Sequence, residues 1–372
     1  MSDPRVHPDQ ALILLALSEN SIRSTGPHGE SPTPASEIEL TYAERKRLKK
    51  LGGTAAIVWH YASDLSQAQI EGVQAECARL GIEVVAVTEA GFRADRQVTD
   101  IASALAKRPG VIVSIPTDPV ATADAYRAAA AQGTKLVFVE NVPAGFVAGR
   151  DYVSVVATDD YGNGVASAHL MAQALGGQGT VGMVYHEADF FVTRQRADAF
   201  EATILVDYPG MRVVARRGVS GPDFAADGQA AAARLLADHP DLHAIWAVWD
   251  VPATGVLAAA REGGRDDLVV TTLDLGLEVA VELAKGGLVK GVGAQRPYDA
   301  GETEALLTGY ALLGKEAPPF VALPALPVTR SSVLAAWAEV YRRPAPEVLA
   351  AAATATPAKH TSAAMIVPSN AR

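Results

Sequence analysis

Two parallel β-sheets, each covered by helices on both faces and each forming its own lobe, are what this 372-residue sequence predicts. Three observations carry that α/β reading. Short β-branched segments alternate with amphipathic helical patterns, and such alternation builds parallel sheets. The strand segments are continuously apolar, as strands buried on both faces must be. Finally, about ten such segments are more than one sheet of this kind usually holds, and the chain is too long for one ordinary core.

The strand segments run in order "TAAIVW" (54–59), "EVVAV" (83–87), "GVIVSI" (110–115), "KLVFV" (135–139), "YVSVV" (152–156) and "TVGMVY" (180–185). The second half continues with "MRVVA" (211–215), "AIWAVW" (244–249), "LVVTTL" (268–273) and "VKGVGA" (289–294). Helical stretches such as "AQIEGVQAECARLG" and "GQAAAARLLADHP" separate most of them. Residues 1–37 are rich in Pro, Ser and Gly without a period and read as a loose leader. The basic run "ERKRLKK" (44–50) fits a solvated helix face. The tail from Pro344 is rich in Ala, Pro and Thr and reads as poorly ordered beyond one short helix.

Composition bounds the function. With 49% hydrophobic and 20% charged residues the chain is an ordinary globular protein. A net charge of −10 and a pI near 5.3 argue against a basic face for nucleic acid. The single cysteine, Cys77, excludes a disulfide framework within the chain and reads as a buried structural thiol in a helix. No segment approaches the roughly 18 apolar residues that span a bilayer. The apolar run "ALILLAL" (11–17) lacks the basic flank and cleavage site of an export signal.

No catalytic motif appears: there is no G-x-S-x-G elbow, no phosphate-binding GxxxxGK[ST] loop and no HExxH pair. The glycines of "GGQG" (176–179) precede a strand rather than open a helix, so they form a turn. His239 and His243 flank a proline in a helix-to-strand loop, which spoils metal geometry. What remains is a pattern at the strand ends, where open parallel sheets bind ligands. They read Trp59-His60-Tyr61, Pro116-Thr117-Asp118, Glu140-Asn141, Thr158-Asp159-Asp160, Tyr185-His186, Trp249-Asp250, Asp274 and Gln295-Arg296-Pro297. Asp and Thr also cap helices, but aromatic, amide and imidazole groups are poor caps, so their recurrence points to a cleft. Carboxylates accept hydrogen bonds from hydroxyls, Arg and Gln donate them, and aromatic faces cover C–H surface. That set suits a neutral polyhydroxylated ligand.

The stretches "TAAIVWHYASDLSQAQIEGVQAECARLGIEVV", "SIPTDPVATADAYRAAAAQGTKLVFVENVP", "VATDDYGNGVASAHLM", "FFVTRQRADAFEATI", "HPDLHAIWAVWDVPATGVL" and "TTLDLGLEVAVELAKGGLVKGVGAQRPYDAG" resemble the type I periplasmic sugar-binding proteins, the ribose-binding-like group. The resemblance covers residues 52–342 in order. It implies two Rossmann-like lobes joined by three crossovers, near Asp159, near Gln295–Pro297 and near Pro324–Val328, closing on a ligand in the hinge cleft. The implied division is a leader over 1–51, an N-terminal lobe of 52–158 with 297–325, a C-terminal lobe of 159–296 with 326–343, and a tail over 344–372.

Family binding positions fall on Trp59 at the first strand end and on Ser63, with Asp64 beside it, in the following loop. They continue with Asn141, after Glu140 in place of the family's Asp, and with Asp159. In the helix after the sixth strand the family's Arg matches Arg196, with Arg194 as the fallback; the two point about 200° apart, so only one faces the cleft. The remaining positions are Trp249, Asp274, the hinge residue Gln295 and Phe190, with Phe191 and Phe224 nearby. Core packing is the alternative for both tryptophans, and it weighs more for Trp246, three residues before Trp249 on the opposite strand face. The departures, Trp59 and Trp249 above all, resemble polyol-binding members and imply a four- or five-carbon polyol or small monosaccharide.

The resemblance implies a non-catalytic, extracytoplasmic, monomeric solute-binding protein. Its partners would be the sugar or polyol and the membrane permease of an ABC transporter, with no cofactor, metal or nucleic acid. Two alternatives stay open: the sensor domain of a lac-repressor-like regulator, and an enzyme on a doubly wound scaffold.

Overall fold

The computed structural model describes residues 14, 17 and 22–355. The remainder of the leader, including most of "ALILLAL", and the tail after 355 lie outside the described residues. The first lobe's elements are β1 (Thr33–Pro34), α1 (Tyr42–Leu51), β2 (Thr54–Trp59), α2 (Asp64–Leu80), β3 (Glu83–Glu89), α3 (Ala94–Leu105), β4 (Val111–Ser114), α4 (Ala123–Ala131), β5 (Lys135–Val139) and β6 (Ser154–Thr158). The second lobe follows with α5 (Asp160–Leu175), β7 (Gly179–His186), α6 (Phe191–Asp207), β8 (Met211–Val219), α7 (Phe224–Asp238), β9 (Ala244–Ala247), α8 (Asp250–Glu262), β10 (Val269–Leu273), α9 (Leu277–Lys285) and β11 (Val289–Ala294). The chain then returns through α10 (Pro297–Leu313) and β12 (Phe320–Leu323) and ends with β13 (Leu326–Val328), α11 (Val333–Tyr341) and α12 (Glu347–Thr354).

Seven strands form one sheet in the order β1-β12-β6-β5-β4-β2-β3, and six form the other in the order β13-β11-β10-β9-β7-β8. Every pairing is parallel except β11 with β13. All ten segments read from the sequence are strands. The chain passes between the sheets three times: at residue 159, at 295–296 and at 324–325. In each sheet the order reverses once, between β2 and β4 in the first and between β7 and β9 in the second. The carboxyl ends beside such a reversal diverge into a crevice, and these two crevices build the cleft.

The leader departs from the expectation of an irregular segment. Its short β1 adds an edge to the first sheet by pairing with β12. Arg23 and Ser24 lie against residue 159 at the first crossing, and His28 Nε2 meets the Phe146 carbonyl at 2.8 Å. The basic run does form the exposed side of α1, where Thr41 and Glu44 cap each other, Leu48 points into the core and Gly52 closes the helix at φ 64°. Proline, serine and glycine gave residues 22–40 no periodic signal, yet pairing to a sheet edge requires none.

The central strands of both sheets are buried and mostly apolar, whereas the edge strands β3 and β8 carry charged residues such as Glu83 and Arg216. Trp246 is fully buried, stacks on Phe200 at 5.0 Å and donates from Nε1 to Ser167 Oγ at 3.0 Å, as its face of β9 implies. Cys77 is buried in α2, and burial pushes its thiol up to about 12, so it is an inert core residue. The helix pair α7/α8 packs backbone against backbone: a Cβ at Gly228 would meet Pro252, and one at Gly255 would meet the Ala225 carbonyl and the Gln229 amide. Gly255→Ala is therefore expected to cost about 1–3 kcal/mol by overpacking, read as a lower urea midpoint. An unchanged midpoint would show that the two helices can separate freely.

Candidate functional site

The carboxyl ends of β2 and β4 in the first lobe face those of β7 and β9 in the second, and a partly open cavity lies between them. The first lobe contributes Trp59, His60, Tyr61, Phe92, Glu140 and Asn141; the second contributes His186, Phe190, Arg196, Trp249 and Asp274; Gln295 enters from the second crossing. Phe92, from the loop after β3, reaches across and meets Phe224 edge-on at 4.9 Å, with Phe190 and His186 at 6.4 and 6.1 Å. At the rim the Leu277 amide donates to Asp64 Oδ2 at 3.3 Å, also from one lobe to the other. The lobes are thus described in mutual contact.

Arg196 organises the floor. Its Nε donates to Asp160 Oδ1 at 2.7 Å, and its Nη1 reaches Asp274 Oδ2 and the Val248 carbonyl, each at 3.3 Å. The guanidinium is 3% exposed, which settles the choice with Arg194, half exposed and paired with Asp189. Burial alone would lower Arg196, but Asp274, Asp160 and Glu140 hold it above its ordinary value. Burial pushes the three carboxyls up, Asp160 to about 7, while the Arg196 charge holds them down. Gln295 lines the cavity from the hinge and lowers both Glu140 of the first lobe and Asp274 of the second, while its Oε1 accepts from the Thr158 hydroxyl at 3.4 Å.

The backbone is strained where these carboxylates emerge. Glu140, Asp274 and Phe92 sit at φ 54°, 68° and 56°, left-handed conformations that L-residues with long side chains rarely adopt. Such strain persists when the surroundings over-determine it, and it collects at ligand sites. Several polar atoms around the cavity are buried without a partner: Asp274 Oδ1, Asn141 Oδ1, Trp59 Nε1, Trp249 Nε1, His60 Nδ1 and His186 Nε2. A group that both donates and accepts, as a hydroxyl does, would match this mixture of unpaired donors and acceptors. Burial lowers His60 to about 3 and lowers His186 as well, so both imidazoles are neutral at physiological pH.

Of the ten residues singled out from the sequence, the structure gathers eight around this cavity: Trp59, Ser63, Asn141, Phe190, Arg196, Trp249, Asp274 and Gln295. Ser63 has a second duty, since its Oγ caps α2 by accepting from the Ser66 amide at 3.1 Å. Two residues lie elsewhere. Asp159 is consumed by the leader and its own helix: its carboxylate accepts from the Arg23, Ser24 and Gly162 amides and the Ser24 hydroxyl at 2.8–3.0 Å. Asp64 stands at the exposed first turn of α2 and reaches only the rim. Phe191 and Phe224 pack behind the wall. Trp249 lies past the end of β9, extended at the head of α8, with its ring against Phe224 at 4.9 Å and His186 at 5.6 Å. Asp250 is buried in the first turn of that helix, and burial beside Asp274 pushes its carboxyl up to about 8.

Some lining residues escaped the sequence reading. His60, Tyr61 and His186 belong to the strand-end groups without being singled out for the site, and Glu140 is named there only as the replacement for the family's Asp. Phe92 had the same signal, an aromatic at a strand exit ("TEAGF"), whereas Gln69 lies on a helix turn with no signal of its own.

The family model of the periplasmic binding protein domain matches residues 55–316. The chain is 26% identical over 202 residues to the ribose import binding protein RbsB of Bacillus subtilis; the match covers 54% of this chain and 62% of that relative. In fold it is similar to an ABC transporter solute-binding protein from Agrobacterium vitis bound with alpha-D-tagatopyranose, at TM-score 0.69 and 21% identity, covering 76% of this chain and 96% of that one. A solute-binding protein from Mycobacterium smegmatis with bound glycerol gives TM-score 0.69 and 23% identity over the same shares, 76% and 96%. With a family model spanning both sheets and a cleft at their paired reversals, the chain belongs to the periplasmic binding protein domain family.

Proposed function

We propose that this chain is the solute-binding component of an ABC transporter and closes its two lobes on a small sugar or polyol, a four- or five-carbon polyol or small monosaccharide being favoured. It works without catalysis, outside the cytoplasmic membrane, as a monomer that presents its closed form to a membrane permease. The observation that carries this reading is the cavity itself. Aromatic walls from both lobes enclose unpaired donors and acceptors, while Arg196 fixes the carboxylates from behind. Trp59 and Trp249 supply C–H-facing surface and indole donors, Asn141 and Asp274 supply acceptors, and Gln295 ties both lobes to the hinge. A ligand missing one hydroxyl would leave a buried group unpaired, which is how such a pocket discriminates.

A thermal-shift panel of four- to six-carbon polyols and sugars tests the reading. Native-state binding adds about 2.7 kcal/mol at a hundredfold excess over Kd, so one narrow ligand group should raise the midpoint clearly. A flat panel, or a hexose preferred over every shorter polyol, would contradict it.

A further inference from the structure

Resting on the polyol reading of the cleft given above, we propose that the ligand also carries a basic nitrogen: an amino-polyol or imino sugar, protonated at neutral pH. The charge in and behind the cavity is one-sided. Glu140 and Asp274 line it, Asp160 stands behind Arg196, and Asp250 is buried close enough to act on both Asp274 and the lining Tyr61. Against these four carboxyls, Arg196 is the one lining cation among the described residues, because the two lining imidazoles are held neutral by burial.

A neutral ligand leaves this surplus to be neutralised by protons. The cluster leans that way, with burial raising Asp250 to about 8 and Asp160 to about 7. An ammonium group would take the protons' place and gain a charge-assisted hydrogen bond. Asp274 supplies the acceptor: it lines the cavity, its Oδ2 is held by Arg196, and its Oδ1 is buried without a partner. Trp59, Tyr61, Phe92 and Trp249 line the same cavity, and aromatic rings attract a cation that approaches their faces. The indole N–H groups of Trp59 and Trp249, also unpartnered, require acceptor oxygens, so a bare alkylammonium ion would not complete the site. Nitrogen and hydroxyls together match the set.

The test is isothermal titration of the full chain at neutral pH with matched pairs: ribitol and erythritol, each against its terminal amino-deoxy analogue, and D-ribose against the corresponding imino sugar. The basic member of at least one pair should bind about tenfold tighter than its neutral partner, equivalent to about 1.4 kcal/mol. Asp274→Asn should reduce that advantage to about threefold or less, with Glu140→Gln as the second variant if the first does not fold. Neutral members binding as tightly as the basic ones, or tighter, would overturn the inference and leave the polyol reading intact. An advantage undiminished in both variants would likewise overturn it. Binding by neither member of any pair would overturn the inference and the polyol reading together.

Discussion

Arg196→Met is expected to lose about 3–5 kcal/mol of unfolding free energy at pH 8 and to abolish ligand binding, because it strands buried carboxylates without their cation. Asp160 and Asp274 would lose the hydrogen bonds at 2.7 and 3.3 Å, and Glu140 the positive charge that now lowers it. The pH dependence distinguishes this from simple loss of packing. Burial already raises these carboxyls above their unfolded values of about 3.9 to 4.3, and removing Arg196 raises them further. A carboxyl with a raised folded pKa binds more protons in the folded state. Its penalty is absent below the unfolded value, grows between the two values and is complete above the folded one. The deficit of the variant should therefore be smaller at pH 5 than at pH 8 in urea denaturation. An equal or larger deficit at pH 5, or a loss below about 1 kcal/mol at pH 8, would contradict this account of the cluster.

Trp249→Ala should cost about 3–5 kcal/mol, the range for truncating a large buried aromatic, and should remove detectable polyol binding. The ring is 7% exposed and holds Phe224 and His186 in place, so its loss opens the wall on the second-lobe side. Trp249→Phe separates two roles. It keeps most of the ring contact and should lie within about 1.5 kcal/mol of the parent, but it lacks the unpartnered indole N–H. Binding should fall while stability is largely kept. A Phe variant with unchanged affinity would assign Trp249 to packing alone.

The sheets were legible because buried parallel strands leave a continuous apolar record, and all ten such runs became strands. Three strands left none. β1 is two residues containing a proline, and β12 and β13 fall in "PFVALPALPV", where three further prolines break the pattern. The cavity was legible to the extent that its residues sit at strand ends: Trp59, Asn141, Trp249, Asp274 and Gln295 follow the rule directly. Asp159 obeyed the same rule, yet its side chain turned to the leader, because an acceptor heading a helix satisfies whatever amides are nearest. Residues brought in by a helix turn, such as Gln69, depend on tertiary geometry that periodicity does not encode.

A small polyhydroxylated solute bound between the two lobes would sit against two tryptophans, and intrinsic fluorescence reads that position. Of the four tryptophans, Trp59 and Trp249 line the cavity, while Trp246 and Trp337 are buried in the second lobe's core. Titration with the polyol or sugar that most raises the thermal midpoint should give a saturable one-to-one fluorescence change that is lost when Trp59 and Trp249 are both replaced by Phe. Saturable binding whose fluorescence change survives that double substitution would place the ligand elsewhere and contradict binding between the lobes.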